Sequence, residues 1–395
     1  PPTMNDRVGL IGVSVRSAAE ALGPKLVDCV YDFYCDWDTE QAAPNRCVNL
    51  VLESFTEALK TSHQGPTAWL TTGGLDLEPS LLTALQIAPH QLLGFSLAAV
   101  RFCKDPSRWS YKLTQAGRAT LPIEFGHHCP PGRWHLKRNW PESPAPWFWQ
   151  LHADGILGSA IFLAQDSRVE LVGCSRLFVH SDWRYQGNVA SVSWPGEAAK
   201  ETLVRIVEDL ADELQPRGLF GIDFILGPPL WPLEINPRPT ASVEVLAALY
   251  RRNLFLEHVR ACWPNAHESS FDDPATPHSP FSFHSLELTG PAFAAKRVVY
   301  NSNQVLEITS NVFRQLQQFS KFQPTIPSTN AATNGQFRLA DLPQPTTRIP
   351  AHEPICSILY QLPHRKTDRT CSADEIWAEL AAIEETLLRS IRMPM

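Results

Sequence analysis

Hydrophobic and polar positions follow two different patterns along the chain, and the change comes near residue 110. Before it, short apolar runs such as VGLIGVSV (8–15) and TAWL (67–70) precede small residues, and RSAAEALGPKL (16–26) then has helical spacing. LVDCVYDFYCDWD (26–38) has the composition of a further strand that ends in acidic residues. Because strands that alternate with helices form parallel sheets, the pattern predicts an α/β domain in this region.

From about residue 110 to 265 strands predominate. WFWQLHADGILGSAIFLAQ (147–165) and VELVGCSRLFVH (169–180) are each typical of a strand, and ETLVRIVEDLADELQ (201–215) has the period of a helix. GLFGIDFILGPPLWPLEINPR (218–238) is typical of a closing hairpin. This second pattern predicts an α+β module.

The polar, proline-rich segment NAHESSFDDPATPHSP (265–280) has the composition of a linker. Beyond it, AKRVVYNSNQVLEI (295–308) and ADLPQPTTRIPAHEPICSILYQL (340–362) alternate like the strands of a small β domain. SADEIWAELAAIEETLLRSI (372–391) is typical of a final helix. We therefore expect three domains, which span residues 1–108, 109–265 and 280–395.

The predicted hairpin carries polar residues in an otherwise apolar context. Side chains in a strand alternate between its two faces, so Glu234 and Asn236 share one face, and Leu233 and Ile235 share the other. The turn GPPLW (227–231) can bring Asp223 beside Glu234 on the paired strand. Two carboxylates and an amide carbonyl are hard oxygen ligands, which suit Mg²⁺ held together with substrate phosphates.

Arg238 follows this set, between two prolines that restrict its backbone. Its planar guanidinium could bind a phosphate or a developing oxyanion. The alternative interpretation of Asp223, Glu234, Asn236 and Arg238 is a structural salt-bridge network on a surface hairpin. Because exposed ion pairs contribute only about 0–1 kcal/mol, stability alone is a weak reason to place four polar groups among apolar neighbours. We favour the metal site.

Composition narrows the setting. A chain of 395 residues with 44% hydrophobic content can bury more than one core. Its formal net charge of −7 arises from mixed charges without long basic runs, so neither nucleic acid nor an anionic membrane is the expected partner. Nine scattered cysteines without a CxxC pair are typical of reduced thiols. With no apolar run near the roughly 20 residues of a membrane span, we expect a cytoplasmic protein that binds small molecules.

GIDFI (221–225) followed by PLEINPRPT (232–240) resembles the end of an ATP-grasp domain. LIGVSVRSAAEAL, DFYCDWD and WLTTGGLDLEP are similar to the N-terminal domain of the predicted carboligase group of ATP-grasp proteins, and ADLPQPTTRIPAHEPICSIL resembles that group's small C-terminal domain. The resemblance implies an ATP-grasp fold of α/β and α+β parts, with a Rossmann-like N-terminal (pre-ATP-grasp) domain and a small C-terminal β domain.

The resemblance also implies roles for single residues. Asp223, Glu234 and Asn236 would be the metal ligands, and Arg238 would be catalytic, stabilising the transferred phosphate or a tetrahedral intermediate. WHLKR (134–138) and WFWQLHADG (147–155) resemble the strands that contact ATP, which suggests that Lys137 and Gln150 bind the cofactor. For Lys137 a solvated strand edge is an equal alternative.

The implied activity is that of an ADP-forming ligase that uses ATP with Mg²⁺, or Mn²⁺, to join a carboxylic acid to an amine or a thiol. Many such ligases are homodimers, so a homodimer is conceivable here. The motif does not identify the acid and the amine, because one fold serves many functions.

One departure from the family pattern favours a second hypothesis. ATP-grasp proteins usually have a glycine-rich loop after the lysine strand, but this chain has RNWPESPAPW (138–147), with no glycine and three prolines. The chain could therefore be a degenerate nucleotide-binding or regulatory protein with little turnover. HHCPPG (127–132) also invites a zinc interpretation, but adjacent His127, His128 and Cys129 lack the usual ligand spacing, so a polar loop is the better account.

Overall fold

The structure is a computed structural model of the chain. It describes residues 8–12, 22, 27–32, 68–72, 91–126, 128–138, 147–263, 291–302, 304–322, 335–363 and 371–392. The chain divides into two compact units. The first unit is Pro1–Gly173, Pro195–Val243 and Asn253–Phe281, and the second is Cys174–Trp194, Glu244–Arg252 and Ser282–Met395. The three domain boundaries expected from the sequence stay a prediction.

The first unit begins with a parallel sheet of four strands in the order β2-β1-β3-β4. The strands are β1 (Val8–Gly12), β2 (Val27–Asp32), β3 (Ala68–Thr71) and β4 (Leu92–Leu93). This confirms the predicted parallel sheet. The helix predicted over residues 16–26 falls almost wholly outside the described residues.

Two short helices follow, α1 (Leu97–Cys103) and α2 (Pro106–Gln115), and both begin at side chains that favour helix starts. The Ser96 hydroxyl accepts from the Ala99 N–H, and the Asp105 carboxylate accepts from the N–H groups of Ser107 and Arg108. Lys104 is therefore a single residue held between two capped helices.

A small antiparallel sheet comes next, with strand order β5-β7-β6. Its strands are β5 (Ile123–Glu124), β6 (Trp134–Arg138) and β7 (Trp147–Leu151). The sequence pattern predicts one strand over 147–165, but the structure divides this stretch at His152–Gly155. Gly155 adopts φ +155°, and an added Cβ there would come within 2.6 Å of the Leu226 carbonyl oxygen, so a side chain is excluded at this break.

The remaining elements up to residue 262 are β8 (Ile156–Gln165), β9 (Arg168–Val179), β10 (Tyr185–Ala190), α3 (Glu197–Leu214), β11 (Gly218–Leu226), β12 (Trp231–Asn236), α4 (Ser242–Tyr250) and α5 (Leu254–Cys262). In the first unit β11 pairs antiparallel with β8 on one side and β12 on the other. The predicted helix and hairpin are confirmed, and the hairpin strands are held by a core that includes Phe162, Phe220 and Phe224.

The second unit contains β13 (Phe293–Tyr300), β14 (Leu306–Glu307), α6 (Ser310–Phe322), β15 (Gln336–Ala340), β16 (Arg348–Ile349), β17 (Pro354–Leu362) and α7 (Ala373–Arg392). Strand pairing follows the order β10-β13-β17-β15, and all these pairs are antiparallel. The predicted strands and terminal helix are confirmed, whereas α6 was not expected from the alternating pattern. None of the helices in the described part of the chain combines the length and apolar character needed to cross a membrane.

A buried ion cluster crosses the second unit. The Lys296 ammonium on β13 donates to Glu244 at the start of that unit's part of α4, and to Asp341, 3.5 Å away, just after β15. Asp341 also accepts from the Ser357 hydroxyl on β17 at 2.8 Å. The two carboxylates raise the pKa of Lys296 against the opposing effect of burial, so the ammonium stays charged. The cluster joins four segments of the second unit that lie apart in the sequence.

In the first unit a histidine joins α5 to two strands. His258 is fully buried; its Nδ1 accepts from the Leu219 N–H at 2.8 Å, and its Nε2 lies 3.2 Å from the Leu93 carbonyl oxygen. A neutral imidazole, with the proton on Nε2, satisfies both backbone groups. Burial lowers the pKa of His258 to about 4, and the nearby charge of Arg217 acts in the same direction.

We expect His258 to make folding pH-dependent. The folded-state pKa lies below the ordinary value of 6.5, so the neutral imidazole's contribution is complete above pH 6.5 and is lost as the pH falls toward 4. Between about pH 7 and pH 5 this group alone should cost about 2 kcal/mol of unfolding free energy. Urea unfolding of the unaltered protein and of His258→Gln at several pH values measures the difference. Equal pH dependence in the two proteins would contradict the assignment.

Candidate active site

Three polar side chains lie in a line across the strands of the first unit. Asp223 on β11 is directly opposite Glu234 on β12 and, on its other side, directly opposite Ser159 on β8. Alternation along each strand explains the line, because the neighbours Ile222 and Ile235 are buried in the core on the other face. The predicted pairing of Asp223 with Glu234 is confirmed by this register.

Asn236 completes the set from the end of β12. It is 5% exposed, and its amide nitrogen donates to the Asp223 carboxylate at 3.1 Å. Because the nitrogen is engaged there, the carbonyl oxygen is the atom through which Asn236 could bind a metal. The donor set therefore consists of carboxylate and amide oxygens, as Mg²⁺ prefers, so the residues present fit such an ion.

The Asp223 carboxyl group is held in an environment that disfavours its charge. Burial and the negative charge of Glu234 raise the pKa of Asp223 to about 6. The polar groups of Ser159 and Asn236 and the charge of Lys137 lower this pKa in part. A bound cation would offset the repulsion between the two carboxylates, as expected of a ligand site.

The structure adds a residue that the sequence patterns missed. Lys104 is buried, and its ammonium lies 2.6 Å from Oε1 of Glu234. The two residues are 130 positions apart, so no local spacing could link them. The acidic pair therefore has a cation beside it that comes from the segment between α1 and α2.

The two candidate ATP-binding residues lie on the small sheet, and nothing in their geometry decides their role. Lys137 is opposite Phe148 in the β6–β7 pair, and its charge acts on Asp223. Gln150 is 2% exposed, and its amide nitrogen lies 3.5 Å from the carbonyl oxygen of Leu233, next to Glu234 in the chain. Their contacts with ATP stay predictions.

Arg238 lies in the turn that follows β12. Its backbone N–H donates to the Asn236 carbonyl at 2.8 Å, and its Nη1 donates to the Pro239 carbonyl at 3.2 Å. The turn thus fixes Arg238 two residues after the predicted ligand Asn236. Its predicted catalytic role is untested by this geometry.

Other candidate residues fall elsewhere. Residues 139–146 of the glycine-free segment and His127 lie outside the described residues. Among the residues with a described position, no three His, Cys, Asp or Glu side chains are grouped as a metal site. Glu244 on α4 is bonded to the buried Lys296 and lies in the ion cluster of the second unit.

Comparisons with known proteins agree with this geometry. Residues 136–242 match the family described as the ATP-grasp domain, a range that includes all six predicted site residues but not Lys104. A formate-dependent phosphoribosylglycinamide formyltransferase of Variovorax paradoxus (strain S110) is 28% identical over 142 residues, which are 36% of this chain and 34% of that protein. The chain thus matches only about a third of the length of this curated relative.

Two solved structures resemble the chain over nearly its whole length. An L-amino acid ligase from Bacillus licheniformis has a TM-score of 0.58 at 12% identity, with 98% of both chains covered. N5-carboxyaminoimidazole synthase from Aspergillus clavatus, in complex with ADP and 5-aminoimidazole ribonucleotide, has a TM-score of 0.57 at 14% identity, with 98% of this chain and 99% of that chain covered. At such identities the likeness concerns the fold.

The chain is an α+β protein with the ATP-grasp fold. Residues 136–242 match the ATP-grasp domain, and the chain as a whole has the fold of the two solved structures. The predicted resemblance to an ATP-grasp domain is therefore confirmed for residues 136–242, and the predicted fold is confirmed for the chain.

Replacing Asp223 by Asn should stabilise the ligand-free protein. The folded-state pKa of Asp223 lies above its ordinary value of 3.8, so its charge destabilises the fold above about pH 6 and has no effect below 3.8. We expect a gain of up to about 3 kcal/mol in unfolding free energy near neutral pH, which disappears near pH 4. Urea denaturation, monitored by tryptophan fluorescence, measures the unfolding free energy of both proteins at each pH.

Glu208→Gln on α3 is the matched control, because Glu208 is exposed and the change removes the same charge. A loss of stability in Asp223→Asn at neutral pH, or an equal gain in both variants, would contradict this account of the acidic pair.

Proposed function

We propose that this chain is an ADP-forming ligase that joins a carboxylic acid to an amine, or to a thiol, with Mg-ATP. The observation that carries the proposal is the set Asp223, Glu234 and Asn236 on the paired strands β11 and β12, inside the region that matches the ATP-grasp domain. A stability role alone gives no reason for the raised pKa of Asp223, since facing carboxylates oppose folding.

The reaction has two steps. A carboxylate oxygen of the acid attacks the terminal phosphorus of ATP, the bond from that phosphorus to the bridging oxygen breaks, and ADP leaves. The amine nitrogen then attacks the acyl carbon of the acylphosphate; the carbon–oxygen bond breaks, inorganic phosphate leaves, and the nitrogen loses a proton. Neither step requires a covalent bond to the protein.

Each residue of the site has a part in this proposal. Asp223, Glu234 and the carbonyl oxygen of Asn236 would hold Mg²⁺, or Mn²⁺, which when bound neutralises charge on the phosphates. Arg238 would donate hydrogen bonds to the oxygen on which negative charge builds. Lys137 would bind phosphate, and Gln150 would border the adenine.

The relatives support the chemistry by analogy. One is a ligase of L-amino acids, one is a formyltransferase that depends on formate, and one is solved with ADP beside an amine-bearing ribonucleotide. Carboxylic acids and amines occur among their named substrates and products. The particular acid and amine of this chain follow from none of them.

A second candidate function is a nucleotide-binding or regulatory protein with little turnover. The specific observation in its favour is RNWPESPAPW, which has no glycine where a phosphate-covering loop is usual. Backbone N–H groups approach phosphate most easily at glycine, so this chain would need other groups to exclude water from the terminal phosphate. Both candidate functions require nucleotide binding, and they differ only in turnover.

We expect Mg²⁺-dependent binding of ATP that requires the acidic hairpin. In calorimetric titrations, Glu234→Gln and Asn236→Ala should each weaken Mg-ATP binding by at least about 10-fold, because each removes an oxygen ligand. Glu208→Gln serves again as the charge-matched control and should bind as the unaltered protein does. Binding that both site variants retain in full would place the nucleotide elsewhere.

Turnover separates the two candidate functions. Incubation with ATP, Mg²⁺ and panels of carboxylic acids, with hydroxylamine present to trap an acylphosphate as the hydroxamate, should yield ADP and hydroxamate with at least one acid. A protein that binds Mg-ATP but releases no ADP with any acid and amine tested would favour the regulatory function.

A further inference from the structure

Lys104 occupies an unusual place between two helices. Its backbone ends α1 and its neighbour Asp105 caps α2, so the main chain is restrained on both sides. The side chain is 7% exposed, yet its ammonium lies 2.6 Å from Oε1 of Glu234. The position of this cation is therefore set by the fold and not by a loose surface contact.

The burial of the two partners is unequal. The Glu234 side chain is 40% exposed, whereas Lys104 is almost entirely covered. Burying an ammonium is costly unless it is paired, so Lys104 favours contact with an anion. The arrangement keeps the cation in place and leaves the carboxylate of Glu234 accessible from solvent, where a ligand can reach it.

We propose that Lys104 is an internal cation that makes divalent-metal binding at Glu234 depend on the nucleotide. The inference deepens the proposed function and rests on it, because it concerns the same metal ligands. The Lys104 ammonium repels a divalent ion that approaches the Glu234 carboxylate. It also offsets one of the two negative charges, those of Asp223 and Glu234, that would attract a free ion. The free metal is thus bound weakly.

The triphosphate reverses this balance. Its negative charges attract both the divalent ion and the ammonium, so the two cations no longer compete for Glu234 alone. Lysine suits this exchange, since it is a compact charge on a flexible stem of four carbons. The site would accept the metal–nucleotide complex and disfavour the bare metal.

Metal binding with and without nucleotide tests this coupling. Mn²⁺ affinity is measured by electron paramagnetic resonance for the unaltered protein and for Lys104→Met, alone and with a non-hydrolysable ATP analogue. We expect Lys104→Met to bind Mn²⁺ alone about 10-fold more tightly, so that the ratio of affinities with and without nucleotide falls by about that factor or more. Lys112→Met on α2, which removes a partly exposed lysine paired with Glu213, is the control and should leave the ratio unchanged.

Lys104→Gln, which keeps a hydrogen-bond donor but loses the charge, is the second variant if Lys104→Met does not fold, and the same gain in Mn²⁺ affinity is expected. Unchanged or weaker binding of free Mn²⁺ in the folded variant, beside normal Mn²⁺–nucleotide binding by the unaltered protein, would overturn the inference and leave the proposed function standing. An unaltered protein that binds neither Mn²⁺ nor the Mn²⁺–nucleotide complex would overturn both.

Discussion

Two carboxylates that face each other across antiparallel strands are the constraint on which the candidate site depends. The β11–β12 register places Asp223 opposite Glu234, and the pairing of β11 with β8 fixes the same strand from its other side. Their repulsion would be relieved if the strands slipped by one residue. Such a slip of β12 would turn buried Ile235 toward the polar face, so burial of the apolar face enforces the unfavourable contact.

The first unit moderates this repulsion with cations from other segments. Lys104 contacts Glu234 from the turn between α1 and α2, and the charge of Lys137 on β6 lowers the pKa of Asp223. These two cations offset the repulsion between the carboxylates only in part. Asp223 keeps a pKa of about 6, so the local field still favours a further cation, and Lys104 influences how that cation enters.

The sequence predicts the hairpin well because its information is local. Period-two alternation and the GPPLW turn suffice to set Asp223 beside Glu234, and the E-x-N-P-R spacing of Glu234, Asn236 and Arg238 carries the resemblance. Lys104 carries no such signal, because its contact joins positions 130 residues apart. The break at Gly155 was missed for a related reason, because the close approach of Leu226 is a tertiary effect. The helix α6 was missed although its amphipathic spacing is a local signal, because the segments on either side of it alternate like strands.

Two buried ionisable residues at β11, His258 and Asp223, differ in what their burial does to the fold. His258 holds the start of this strand through Leu219, and Asp223 lies four positions further along it. Burial shifts both pKa values toward the neutral form, down to about 4 for the imidazole and up to about 6 for the carboxyl group. At neutral pH the imidazole is therefore uncharged and fully hydrogen-bonded, and it stabilises the fold. The carboxylate is charged at a cost that its neighbours offset only in part and that a bound cation would offset further, and this difference makes Asp223, not His258, the residue to assign to a ligand.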